Sequence, residues 1–466
     1  MKLTKYLAGY AAFAFAVSAN ASETVYITGA TAFRTATINA INAQYQLGNG
    51  GVVSYKVGHD QATNAKLTSA GRLVFIGNFP GVAGTTTIKC CFTGSVEGIR
   101  ALVLNPTTTT PVPAGYDPSP PTYFDEGLVT ASFGDGTSAA NMTPNITSLG
   151  SQLTTTSDIA FSDVGQSSTP FTKKNQTLQP GDADARAGVI VFTMVTNNSS
   201  VANVTSKQFR ALLAAPQPLG LITGAEADVT AGTDSMAYVV GRNDYSGTRT
   251  TVLAETGYGI ANKVQQYVVN SGSTSTGLTK IQQVPASGIS TLTGGLAKAS
   301  SSKNASNVWS STKSDGNGGY DSGSGLTPVI GLSGSGGCKV YDASGLEANA
   351  VTVPKVTLLA WISLSDAVTS RTDSGASFCK FNGVGLDGVA ASGSTLTAAD
   401  KAKITGGAYT GWGYERMFYN NAITGGDKLT VYNAIFGELP NKIDTAGVNI
   451  VDMIASREVD GGVVSQ

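Results

Sequence analysis

The chain alternates short apolar, β-branched runs with segments of helical spacing. Thr24-Val25-Tyr26-Ile27 predicts a strand, and Thr28-Gly29-Ala30-Thr31-Ala32-Phe33 then turns the chain through small residues. From Arg34 to Tyr45, Ala36, Ile38, Ile41 and Ala43 supply the apolar positions of a helix. Further β-rich runs follow at Val52–Val57, Arg72–Asn78 and Thr86–Phe92. The last of these leads to Gly94 and to Ser95, which can cap a helix running to Leu102. Thr154–Phe161 leads to Ser162-Asp163 and then to a loop ending at Asp182. Ala187–Val195 is a continuous apolar run of strand length, the pattern of a strand covered on both faces. A short capped helix is expected over Thr205–Leu213, and a buried strand over Met236–Gly241. That strand enters Arg242-Asn243-Asp244-Tyr245-Ser246-Gly247-Thr248-Arg249, with a helix expected over Thr250–Thr256. Val356–Leu364 reads as a strand, and Ala398–Ile404, Lys428–Phe436 and Ile450–Arg457 read as helices. Trp412, Tyr414, Phe418 and Tyr419 form an aromatic cluster expected in the core.

Strands that alternate with helices argue for α/β lobes with largely parallel sheets. Ligands of such sheets sit at the carboxyl ends of the strands, and several small-residue turns here follow strands directly. The first residues fit a secretory signal peptide: Lys2 and Lys5, an apolar run Tyr6–Val17, and Ser18-Ala19-Asn20-Ala21 as cleavage site. That run is shorter than the ~20 residues of a spanning helix. The expected division is therefore a signal peptide at 1–21 and a mature region at 22–466, periplasmic or extracellular and not membrane-spanning. Pro/Thr-rich and Ser/Gly-rich stretches near 105–121 and 272–337 read as inserted loops.

Composition removes several classes of function. Net charge is −1 with 13% charged residues, and no basic cluster suggests a nucleic-acid partner. A single histidine, His59, argues against a Ser-His-Asp hydrolase and a multi-histidine metal site, and His59 itself reads as a loop or surface residue. No cofactor is implied, and no enzyme activity is expected. The cysteines are Cys90, Cys91, Cys338 and Cys379. In an oxidising compartment Cys338 and Cys379, close in one region, are the expected disulfide. Cys90-Cys91 lie in a strand-like run, as buried free thiols, a vicinal bridge, or with one bonded elsewhere.

The segment Arg242–Thr248 carries the most chemistry. Arg242 can form a bidentate, charge-assisted pair with an oxyanion. Ser246 and Thr248 can donate, Gly247 allows close backbone approach, and the following helix adds positive potential at its start. The plainer reading is an Arg–Asp pair capping a helix.

Arg242, Asp244, Ser246, Gly247 and Thr248 match the Arg-x-Asp-x-Ser-Gly-Thr motif of periplasmic phosphate-binding proteins, and the chain resembles that family over about Thr24–Tyr267. Its first loop is similar to Thr31, Ala32 and Phe33, its serine-bearing helix start to Ser95, and its Ser-Asp segment to Ser162 and Asp163. Asn317–Gly323 is weakly similar to a second-lobe loop, while Tyr245 stands where the family has glycine and is expected to narrow the cleft mouth. The resemblance implies a two-lobed type II solute-binding α/β fold with central mixed sheets and an interlobe cleft. It implies inorganic phosphate or a related oxyanion as ligand and an ABC importer as partner. Asp163 would accept a hydrogen bond from protonated phosphate and so reject a proton-free anion such as sulfate. Ser95 also fits a plain helix cap, and Ser162-Asp163 a turn cap. A competing expectation is a surface or extracellular structural or interaction protein that reuses the fold with a degenerate cleft.

Overall fold

The computed structural model describes residues 22–48, 55–60, 68, 70–103, 120–126, 152–171, 177–226, 228, 235–271, 278–283, 318–320, 322–331, 338–341, 351–353, 355–391, 395–443 and 447–466. The expected signal peptide, most of both expected insertions, and the start of the Val52–Val57 run lie outside the described residues.

Seven strands carry the architecture: β1 (Glu23–Gly29), β2 (Thr85–Phe92), β3 (Ile159–Ser162), β4 (Arg186–Thr196), β5 (Ser235–Val239), β6 (Lys355–Ser363) and β7 (Trp412–Tyr419). The helices that matter here are α1 (Arg34–Gly48), α2 (Ser95–Val103), α3 (Gly247–Glu255), α4 (Leu364–Ser374) and α5 (Gly426–Glu438). Among the described residues the strands join one mixed sheet, in the order Gln217–Pro218, β5, β6, β4, β7, β3, β1, β2, Arg72–Asn78, Lys56–His59. Pairing is parallel for β1 with β2, β1 with β3, and β5 with β6. It is antiparallel where β4 meets β6 and β7, and where β7 meets β3. The sheet is thus mixed rather than largely parallel, because β4 and β7 run antiparallel to each other and to their outer neighbours, and Arg72–Asn78 is antiparallel to β2.

Those two strands also divide the molecule. The first part of β4 pairs with β7 through Arg186–Val191, and its second part pairs with β6 through Phe192–Thr196. On one side, Val25, Ile27, Ile41, Phe75, Ile88 and Met417 build a core with α1 and α5. On the other, Phe192, Phe209, Leu212, Val239, Trp361 and Trp412 build a second core. β4 is buried along nearly its whole length, which explains its unbroken apolar sequence. Each fully buried side chain of this size adds about 1.5–3 kcal/mol, so β4 is a principal source of cohesion for both halves. The aromatic cluster is core as expected: Trp412, Tyr414 and Phe418 are buried on β7.

Several sequence expectations change. No helix forms over Ile450–Arg457; only Ile450–Asp452 makes a single 3-10 turn. Val451 and Ile454 are exposed, and only Ile450 and Met453 pack partly against the core, so the segment has too little apolar face to hold a helix. Ile454 and Ala455 instead donate their N–H groups to the Thr405 carbonyl. His59 is a buried strand residue opposite Leu73, not a surface one. The region expected as a loop at 272–337 contributes Leu278–Gln283 to a separate four-stranded sheet with Tyr267–Ser271, Cys338–Tyr341 and Val351–Val353.

Cys379 is a free, buried thiol, so the expected Cys338–Cys379 disulfide is corrected. It sits on the strand Ser377–Phe381 opposite Met194 of β4, within an apolar core, and burial pushes its thiol up to about 12. Cys90 and Cys91 are also buried thiols outside any disulfide. Burial, with Cys91 beside it, pushes the Cys90 thiol upward as well. Inert structural thiols are the expected consequence. In the folded protein Cys90, Cys91 and Cys379 should resist a thiol reagent at neutral pH and all react after denaturation, as read by mass spectrometry of labelled peptides.

Candidate functional site

Three parallel strands end side by side. Gly29 at the end of β1 faces Phe92 of β2 and Phe161 of β3. Gly29 has φ +119°, and any side chain there would run into the Phe161 backbone. Two bonds lock the turns together: Ala30 N–H donates to the Phe161 carbonyl at 2.8 Å, and Gly94 N–H donates to the Gly29 carbonyl at 2.9 Å. The segments Thr28–Phe33, Thr93–Ser95 and Ser162–Asp163 therefore leave one edge of the sheet in fixed register. β5 delivers Arg242 and the start of α3 from the other half.

The two halves touch at glycine. A Cβ on Gly247 would lie 2.6 Å from Ser95 Oγ, 2.7 Å from Ser95 Cβ and 2.9 Å from Asp163 Cβ. Only a residue without a side chain brings α3 so close to α2 and β3. Beside it, Val96 and Glu97 donate their N–H groups to the Tyr245 carbonyl at 3.0 and 3.4 Å. Two of the N–H groups that open α2 are thus bound by protein. Tyr245 is itself buried, so it packs inside rather than narrowing a cleft mouth.

Arg242 is buried and spans both halves. Its Nη2 donates to Thr31 Oγ1 at 3.4 Å, and its Nε donates to the Tyr320 carbonyl at 3.3 Å. Gln266 supports this loop, donating from Nε2 to the carbonyls of Arg242 at 2.9 Å and Gly318 at 2.8 Å. Tyr320 and Asn243 add backbone bonds between 318–320 and the Arg242 turn. The weak similarity seen in Asn317–Gly323 thus falls on a segment that orients Arg242.

The carboxyl groups give the site its electrostatic character. Asp163 is 2% exposed and Glu415, on β7, is fully buried. Asp163 follows Ser162, which pairs with Arg416 on β7, so the strand register brings it beside Glu415, and it shares the Gly247 contact with Ser95. Burial raises the Asp163 carboxyl, while Glu415, Ser95 and the Arg242 charge pull it back and Asp460 raises it further. Burial, then the neighbouring Asp163, hold Glu415 well above the usual carboxylate range. Asp460 pairs with Arg416 at 2.9 Å and accepts from Gly165 N–H at 2.8 Å. Arg457 pairs with Glu255 of α3 at 2.8 Å. The segment around 457–460 thereby braces both the Asp163 loop and α3.

The expected site residues separate into two groups. Thr31, Ser95, Asp163, Arg242, Ser246, Gly247 and Thr248 lie around this junction, with Ser246, Gly247 and Thr248 at the start of α3. Asp244 is half-buried at the tip of the turn. Ala32 and Phe33 pack away from it, against the two cores, and line a cavity of about 50 Å³ with Ser363–Ser365. Ser162 caps its own turn, donating to the Val164 carbonyl at 2.8 Å and accepting from Val164 N–H at 3.2 Å. Sequence reading missed Glu415, although an acid beside Arg416 inside an aromatic strand was a visible anomaly. Among the described residues no group of three or more His, Cys, Asp or Glu is placed to hold a metal, and no helix is long and apolar enough to cross a membrane.

The fold and site define a mixed α/β protein with a buried Arg–Ser–Asp junction between two separately cored halves. No protein-family model matches the chain, and no curated protein matches it in sequence. Among solved structures it is similar to a protein from Clostridium perfringens assigned as a phosphate ABC transporter substrate-binding protein, with bound phosphate. There the identity is 12% and the TM-score 0.36, over 92% of this chain and 100% of that one. It is also similar to an ABC-type phosphate transport receptor from Vibrio cholerae, at 11% identity and TM-score 0.35, over 89% of this chain and 93% of that one.

Gly247→Ala should destabilise the protein by about 1–3 kcal/mol, since the added methyl overlaps Ser95 and Asp163. Denaturant unfolding of the variant against the parent measures the loss.

Proposed function

We propose that this chain is an exported solute-binding protein that captures a protonated oxyanion, inorganic phosphate first, between two halves of a type II solute-binding fold. Delivery to an ABC importer is the role that goes with such capture; the protein itself does no covalent chemistry. What supports the reading is the convergence of Thr31, Ser95, Asp163, Arg242 and the start of α3, from sequence-distant segments, at the carboxyl ends of β1, β3 and β5. Arg242 supplies the charge that attracts the anion. Ser95, Ser246, Thr248 and backbone N–H groups at the start of α3 supply donors. Asp163 supplies an acceptor, which favours an anion that carries its own proton.

Ser95 and Gly247 are in contact, so an anion enters only as α2 and α3 part. β4 and β7 run through both halves and are the natural pivots for that movement. One observation favours the second reading, a structural or interaction protein with a degenerate cleft. The Tyr245 carbonyl takes the Val96 and Glu97 N–H groups that an anion would otherwise use.

Calorimetry of the mature protein, freed of bound anion by unfolding and refolding, separates the two. Under the binding reading phosphate releases heat and sulfate does not. Arg242→Ala then loses at least about 30-fold in affinity, the cost of removing one partner of a buried charge-assisted contact. Asp163→Asn narrows the preference for phosphate over sulfate, because an amide can donate to a proton-free oxygen. A folded protein that gives no heat with either anion supports the structural reading instead.

A further inference from the structure

Glu415 stands where β7 passes from β4 to β3, and its neighbours across the pairing are Gly188 and, one residue on, Ser162 opposite Arg416. Neither Glu415 oxygen has a hydrogen-bond donor among the described residues, and neither does Asp163 Oδ1. All three atoms are buried. Two ionised carboxylates are acceptors only and cannot bond each other, whereas one proton supplies the missing donor. A second unit of negative charge here would also be costly, because burial and the neighbouring Asp163 outweigh the attraction of Arg416, and the nearby cations have other partners. Arg416 on β7 pairs with Asp460 and donates to the Asp182 carbonyl at 3.1 Å. Arg186 on β4 stacks on Tyr414 with its guanidinium carbon 4.0 Å from the ring centre and donates to the Arg457 carbonyl at 3.1 Å. Arg242 faces Asp163 from the loop after β5, and Asp460 adds a further negative charge from the segment beyond β7.

We infer that Glu415 is a positioning residue for the oxyanion site: it keeps one proton, donates it in a hydrogen bond to Asp163, and so holds Asp163 as a singly charged acceptor. This rests on the reading of the junction as an oxyanion site. The consequence is a division of labour. Asp163 stays ionised although buried because Glu415 donates to it, while the nearby Ser95 hydroxyl and Arg242 charge also favour its charged form. With that bond made, its remaining acceptor capacity faces the anion. Only an anion with a proton of its own, such as phosphate near neutral pH, satisfies it. Sulfate has none and meets a repulsive carboxylate. Without Glu415, Asp163 would take up a proton itself and become a donor, and the ground for rejecting sulfate would go.

Three measurements on the mature protein test this. The first is infrared spectroscopy of the protein without added anion at neutral pH. The parent shows the carbonyl stretch of a protonated, buried carboxyl group, and Glu415→Gln lacks it. A band that persists in Glu415→Gln puts the proton elsewhere and overturns the assignment.

The second is thermal unfolding against pH. Glu415 is raised in the fold, so its contribution to stability is complete below the ordinary carboxylate range and is lost as pH rises through its raised value. The parent therefore loses melting temperature with rising pH, and Glu415→Gln flattens that slope. Identical slopes overturn the proposal.

The third is calorimetry with phosphate and sulfate. Glu415→Gln keeps an amide donor to Asp163 and keeps the rejection of sulfate. Glu415→Leu removes the donor and lowers the phosphate-over-sulfate ratio by about tenfold or more, within the range that one lost polar partner controls. An unchanged ratio in Glu415→Leu overturns the selectivity role. If the parent binds neither anion, the oxyanion reading fails, while the infrared band and the stability slope still decide where the proton lies. If Glu415→Leu does not fold, the Glu415→Gln measurements still decide the same point.

Discussion

A backbone without a side chain lets α3 approach α2 and β3 at Gly247, and the site depends on that approach. The close packing brings Ser95 and Asp163, held by one half, against a helix carried by the other. Arg242 reinforces the junction from the same loop, reaching Thr31 on one side and Tyr320 on the other. Each contact alone is small. Together they place charge, hydroxyl groups and a carboxyl where water is largely excluded, and there such interactions are strongest.

Exclusion of water also makes the junction exacting. A buried carboxylate needs donors, and the polar groups that lower the Asp163 carboxyl come from different elements: Glu415 in the middle of β7, Ser95 at the start of α2 and Arg242 after β5. The Arg416–Asp460 and Arg457–Glu255 pairs are almost wholly buried as well. Buried pairs of this kind add little net stability, since desolvation offsets much of their attraction, but they fix geometry because misalignment leaves a charge unpaired. Here they fix the Asp163 loop and α3 relative to β7.

The strands and most helices could be read from the sequence because their signals are local. The unbroken apolar run of β4, the Thr205 cap of the helix Ser206–Ala214 and the small-residue turns after β1 and β2 each state their own structure. Thr205 even forms the full capping box with Gln208. Arg242, Ser95 and Asp163 could be nominated from motif resemblance, and they do come together. What could not be read was set by partners distant in sequence. Phe33 looks like part of a ligand loop but fills a core with Gly188. Ser162 spends its hydroxyl on its own turn. Cys379 faces Met194 rather than another thiol. Glu415 acquires meaning only when β7 pairs with β3. The Ile450–Arg457 segment has helical composition, yet its buried residues are Ala455 and Arg457, while Ile450 and Met453 are only partly covered and Val451 and Ile454 are exposed.

The bond from Gly165 N–H to Asp460 joins residues almost 300 positions apart. Thr31 meets Arg242 across a separation of 211. Local helices and turns can form early, but a junction built from such distant segments forms only after the loops between them have closed, and that closure is what slows folding of high-contact-order chains. The order of events is therefore built in. The first half can assemble β1, β2 and β3 from its own sequence, but its Asp163 loop stays unbraced until β7 and the segment around Asp460 arrive. The junction is thus among the last features the folding chain completes, and a partly folded molecule would lack it.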